Sequence, residues 1–197
     1  MADLEKEYDE IYGDIPEDPK QIVTDLLEKM SATSMMNYEE SCKRIKKRKW
    51  IKKQFVFYIL PKATPRPRLG RNGVFYVKGA SDNKKFFKNF IKDEDINIIK
   101  TPTKFRCISY LPTPRSMKTY EKVLAELGLI YPVSKPDWDN LAKAYSDMIQ
   151  GLLLYDDALI IDGSSKKFYS MKPRIEIEIE YLSDFDSDFN KKKFKGR

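Results

Sequence analysis

The residues with the clearest chemical potential lie in Lys135-Pro136-Asp137-Trp138-Asp139-Asn140-Leu141-Ala142-Lys143, followed by a second acidic pair, Asp156 and Asp157. Pro136 biases Lys135 toward extended geometry, and side chains two apart on an extended backbone share a side, which puts Asp137 beside Asp139. Beyond them Leu141, Ala144, Tyr145, Met148, Ile149 and Leu152 recur at helical spacing, predicting a helix that starts at Asp139-Asn140. Lys143 then sits one turn from Asp139 on the same face. Two carboxylates held together repel unless a cation separates them. A third, from Asp156 or Asp157, would complete an oxygen cradle with open positions for water and phosphate. A metal there would polarise a phosphate, and Lys143 would neutralise developing charge or orient the water. The bland alternative is that Asp139 is a helix cap, Asp137 a turn residue and Asp156-Asp157 a loop. The Asp139 to Lys143 contact would then be a surface pair worth roughly a few tenths of a kcal/mol.

The chain contains no histidine. This excludes Ser-His-Asp and Cys-His nucleophile systems, imidazole-ligated zinc and histidine as a general base. Catalysis is left to carboxylates, lysines, hydroxyls or a metal held by oxygen, and oxygen ligation suits magnesium, manganese or calcium. Cys42 and Cys107 lack spaced partners for zinc and read as structural thiols.

Net charge is +7, unevenly spread: residues 1–18 hold eight acids against Lys6, leaving +14 on the rest. A basic body of this kind is an electrostatic footprint for a polyanion, with nucleic acid the leading candidate. No apolar run is long enough to span a membrane and the N-terminus lacks signal-peptide features, so a cytoplasmic location is expected.

With 197 residues, one core domain is the expectation. Residues 1–18 read as an acidic flexible segment and 19–53 as a helical basic extension. That extension combines a helix over about 19–30 with a second from about 37, running through the eight cations of 43–53. A first core strand is expected at 54–60, a second at 105–111, and shorter ones at 158–161 and 174–181. In the last of these Ile175, Ile177, Ile179 and Tyr181 alternate with outward glutamates. Between the first two strands lies a proline-stiffened loop, 61–73, with Asn72-Gly73 as a hairpin turn and a basic helix around 83–91 beyond it. Lys62, Arg66, Arg68 and Arg71 of this loop, with Lys135, are candidate phosphate contacts. A helix capped by Ser116 should carry Tyr120, Val123, Leu124 and Leu127 on one apolar stripe and stop at Gly128. Residues 183–197 read as a disordered charged tail.

Lys-Pro-Asp-Trp-Asp-Asn-Leu-Ala-Lys-Ala, then Ser-Asp-Met-Ile-Gln-Gly and Tyr-Asp-Asp-Ala, resembles the RusA family of Holliday junction resolvases. The upstream Pro-Lys-Ala-Thr-Pro-Arg-Pro-Arg is similar to that family's loop after the first strand. The resemblance covers about 54–182 and implies an α/β (α+β) domain, a small mixed sheet packed with helices, here with an N-terminal helical extension. It also implies a homodimer that nicks four-way junctions in recombination and repair with Mg2+, or Mn2+. Asp137, Asp139 and Asp157 are then the essential carboxylates and Lys143 the essential lysine. The extension 1–53 and Trp138 depart from the family pattern. A broader branched- or flap-DNA nuclease and a non-catalytic DNA-binding protein stay open as alternatives.

Overall fold

The computed structural model describes residues 18–63, 68–70, 73–75, 87–89 and 97–183. The chain divides after Arg48 into two compact units. The first holds helices α1 (Asp18–Glu28) and α2 (Ala32–Ile45). Ser31 caps α2, its hydroxyl accepting from the Ser34 amide at 3.3 Å.

The second unit is built on a four-stranded mixed sheet of β1 (Trp50–Phe57), β4 (Thr103–Pro112), β5 (Ile160–Ser170) and β6 (Arg174–Leu182) in the order β1-β6-β4-β5. β6 is antiparallel to both neighbours, whereas β4 and β5 are parallel. A separate hairpin pairs β2 (Arg68–Gly70) with β3 (Gly73–Phe75). The turn expected at Asn72-Gly73 thus has its Gly73 on β3, while Asn72 lies outside the described residues. The helix expected over 83–91 is described only as a helical turn at 87–89, where Phe87 is fully buried and stacks on Phe57 with ring centroids 4.0 Å apart. Parallel β4 and β5 need a crossover. It carries α3 (Thr119–Glu126) and α4 (Trp138–Ile149).

The period-2 pattern of β6 directs Ile175, Ile177 and Ile179 into the core, at most 1% exposed, and its glutamates to the other face. Those glutamates are not simply solvated. Glu178 meets Lys52 and Gln54 at 2.7 Å and Arg106 at 3.3 Å, and the hydrogen bonds from Lys52 and Gln54 hold its carboxyl below the ordinary value. On the core face Phe55, Phe57, Phe105 and Cys107 pack with Leu141, Ala144, Tyr145, Met148 and Ile149 of α4. Burying side chains of this size stabilises by about 1.5–3 kcal/mol each, so α4 is fixed by its apolar stripe.

Three elements differ from the sequence reading. The helix expected to run to 53 stops at Ile45, and 50–57 is strand. Lys52 faces outward while Ile51, Lys53, Phe55 and Phe57 turn inward, and pairing with β6 along all eight residues outweighs the cation run. α3 starts at Thr119 behind Lys118, whose amide donates to the Glu121 carboxylate at 2.6 Å, rather than behind Ser116. Its expected inner stripe faces outward: Tyr120, Val123 and Leu127 are 59%, 56% and 66% exposed, and Ala125 is the buried residue. The helix is tied instead to the end of β5, where Glu126 accepts from the Ser170 hydroxyl at 3.2 Å and from the Met171 amide. Gly128 ends α3 as expected, with φ +70°. Finally, β5 extends well past the short strand expected at 158–161. Its polar run from Asp162 to Lys167 is tolerated because β5 is an edge strand.

Candidate active site

α4 begins one residue earlier than its apolar spacing implies, so Asp137 takes the N-cap position with extended backbone, φ −69° and ψ 145°. An aspartate there normally accepts a hydrogen bond from the first turn. Asp137 makes no such side-chain bond, and the residue is exposed. Asp139 lies in the first turn, where the partial positive charge of the helix N-terminus favours its carboxylate. Trp138 stands between the two, 60% exposed.

Lys143, one turn further on, places Nζ 3.3 Å from Asp147 Oδ1. Asp156 caps the short 3-10 turn Asp157–Leu159, its Oδ1 accepting from the Ala158 amide at 2.9 Å. The Asp157 residue opens that turn and is half-buried. Of the cations assigned to phosphate, Lys62 and Lys135 are exposed. Arg66 and Arg71 lie outside the described residues, and Arg68 is described by its backbone in β2.

The sheet fixes both ends of α4. At its start, the Ser165 hydroxyl donates to the Trp138 carbonyl at 3.4 Å, and Lys167 Nζ donates to the carbonyls of Ser134 at 2.8 Å and Pro136 at 3.1 Å. The Lys135-Pro136 peptide between these acceptors is cis. At its end, Leu153 donates to Ile149, and Leu153 and Tyr155 exchange backbone bonds with Ile99, just upstream of β4. α4 therefore runs antiparallel to β5. Asp157 precedes Ile160, where β5 opens opposite Thr103, whereas Asp137 and Asp139 sit beside Ser165. Five residues of strand separate the two levels by about 16 Å. The structure brings Asp137 and Asp139 to one helix end and places Asp157 at the other. Among the described residues no three acidic, histidine or cysteine side chains gather as a metal-holding group.

Ser165 and Lys167 are the residues that sequence reading missed at this site. Their one sequence signal is parity: in a strand, Ser165 and Lys167 share a face and turn the same way as each other. That becomes informative only once β5 is known to extend past 161.

A mixed sheet crossed by a helix that presents two carboxylates at its N-terminus defines a class, and comparison with known proteins names it. The chain belongs to the RusA family: residues 59–180, more than half its length, match the family described as Endodeoxyribonuclease RusA. It is also similar to "Uncharacterized protein YqaN" of Bacillus subtilis (strain 168), being 33% identical over 138 residues that cover 66% of this chain and 96% of the relative. The family match takes in α4, Asp157 and β5 and begins beyond β1. Membership implies a nuclease of the Holliday junction resolvase kind. Among the described residues no helix is long and apolar enough to cross a membrane.

Proposed function

We propose that this chain is a magnesium-dependent, structure-selective DNA endonuclease that resolves four-way junctions by paired symmetric nicks. The observation that carries the reading is Asp137, an aspartate at a helix N-cap whose carboxylate caps nothing, next to Asp139 in a RusA-family chain. The donor set fits the ion. Magnesium keeps several waters and is commonly bound through one or two carboxylates together with substrate phosphate oxygens, and Mn2+ accepts the same ligands.

In this reading Asp137 and Asp139 hold the ion. Mg2+, when bound, supplies Lewis-acid polarisation of the scissile phosphate. Lys143 is close enough along the helix to neutralise charge that develops on the phosphate, and exchanges Asp147 for the DNA to do so. Lys62 and Lys135 contribute exposed cations that hold the phosphate backbone.

The remaining carboxylate argues for a homodimer. Asp157 opens the turn beyond the far end of α4, away from the helix start that carries Asp137 and Asp139, and Asp156 caps that turn. In a two-fold dimer the partner's Asp157 would complete the first chain's site, and the reverse would hold at the second. The apolar residues flanking the site suit such a contact: Leu127, Leu129, Tyr131 and Val133, which lead into Asp137, are each more than half exposed.

A flap or general branched-DNA nuclease would use the same carboxylates, and a non-catalytic binder would not need them. Nicking of a synthetic four-way junction, a flap and a plain duplex of matched sequence, with and without Mg2+, separates the three. The resolvase reading requires metal-dependent, symmetrically placed nicks and a preference for the junction.

A further inference from the structure

Ser134, Pro136 and Trp138, alternate residues entering α4, all have their carbonyl oxygens held by side chains of β5. Lys167 takes the first two with one ammonium group. It is half-buried and has no acidic partner among the described residues. β5 is itself locked to β4, with Ser165 opposite Cys107 and Lys167 opposite Ser109. The path of the acidic loop is therefore dictated by a strand some 31 positions away in sequence.

We propose that Lys167 is a positioning residue for the metal site: by gripping the carbonyls of Ser134 and Pro136, it sets the backbone at Asp137 so that this carboxylate faces the ion together with Asp139. The proposal rests on the reading of Asp137 and Asp139 as metal ligands. Ligands on a loop must be held to within about 0.5 Å of their working positions by the groups behind them. A lysine with two fixed backbone acceptors does this before the ion arrives. Without it the ordering has to come from ion binding itself, which weakens affinity while leaving the saturated rate comparatively intact. Groups standing behind metal ligands typically govern about 10- to 100-fold in affinity.

The test uses the full-length chain and Mn2+ as the probe, with binding read from the electron paramagnetic resonance signal of the free ion. No DNA and no turnover are needed. Lys167→Met removes the ammonium and keeps the stem, and should weaken Mn2+ binding by about tenfold or more. Lys167→Arg keeps donors and should stay within about threefold of the unaltered chain. Junction affinity measured in EDTA should be the same for all three proteins, which a general loss of structure would not allow. In single-turnover nicking, Lys167→Met should raise the half-saturating Mg2+ concentration and leave the saturated rate close to the original. Should Lys167→Met fail to fold, Lys167→Gln against Lys167→Arg decides by the same readout. A loss of Mn2+ affinity under about threefold, or one that arginine does not restore, overturns the proposal. If Asp139→Asn loses Mn2+ while Lys167→Met retains it, the ligand reading survives and only the positioning role is overturned. If the unaltered chain binds no Mn2+, both fall together.

Discussion

The Ser165 hydroxyl lies 3.4 Å from the carbonyl oxygen of Trp138, and this contact settles which end of β5 faces the candidate carboxylates. It places the N-terminus of α4 in mid-strand and sends Asp157 to the opposite end of the helix. A helix of 12 residues is about 18 Å long, consistent with the separation reckoned along β5.

A site shared between two copies makes a prediction about mixtures. Asp139→Asn and Asp157→Asn should each be inactive alone. Refolded together, they form some mixed dimers in which one site has lost both residues and the other has kept both. Nicking of one strand of the junction should return in the mixture. If each site is built within a single chain, every site in the mixture stays damaged and no nicking returns.

The two adjacent aspartates should part company on mutation. Asp156 caps the 3-10 turn through the Ala158 amide, so Asp156→Ala should lower unfolding stability by about 1 kcal/mol while nicking persists at saturating Mg2+. Asp157→Asn should leave the urea midpoint nearly unchanged and reduce nicking by about a hundredfold or more. Equal loss of activity in both variants would return Asp156 to the ligand set.

Glu178 gives a pH prediction. Hydrogen bonds from Lys52 and Gln54 hold its carboxyl below its ordinary 4.5, so the charged form is favoured in the folded chain. The resulting stability is fully present above the unfolded value and is lost as pH falls through the folded one. As pH falls below 4.5, the unaltered protein should lose more stability than Glu178→Gln, read from urea midpoints across the acid range. Parallel stability profiles for the two proteins would show that the Lys52 and Gln54 contacts contribute nothing in solution.

Much of this was legible in the sequence where one local pattern ruled. β6 alternates from Ile175 to Tyr181, and the buried face of α4 follows its 3.6-residue spacing, so both could be read directly. β1 was obscured because Lys52 and Lys53 continue the cation run from 43, which resembles a solvated helix face, and its pairing partner lies more than a hundred residues away. The polar stretch of β5 carries no strand signal of its own and exists because β4 offers it a ladder. That Asp137 and Asp139 both fall at the start of α4 was visible, since it depends on neighbours. The position of Asp157 was not, since it depends on the direction in which α4 crosses the sheet. Lys167 was hidden for a related reason: it acts on backbone carbonyls, which have no sequence signature.

The central claim is that Asp137 and Asp139 form a metal-dependent nicking site for branched DNA. Its most direct test is cleavage of a synthetic four-way junction by the unaltered chain and by Asp139→Asn, each with Mg2+ and with EDTA, alongside junction binding without metal. Paired nicks by the unaltered chain in Mg2+ alone are expected. Asp139→Asn should bind the junction as tightly as the unaltered chain and leave it uncut. Full cleavage by Asp139→Asn, or cutting that persists in EDTA, would contradict the account.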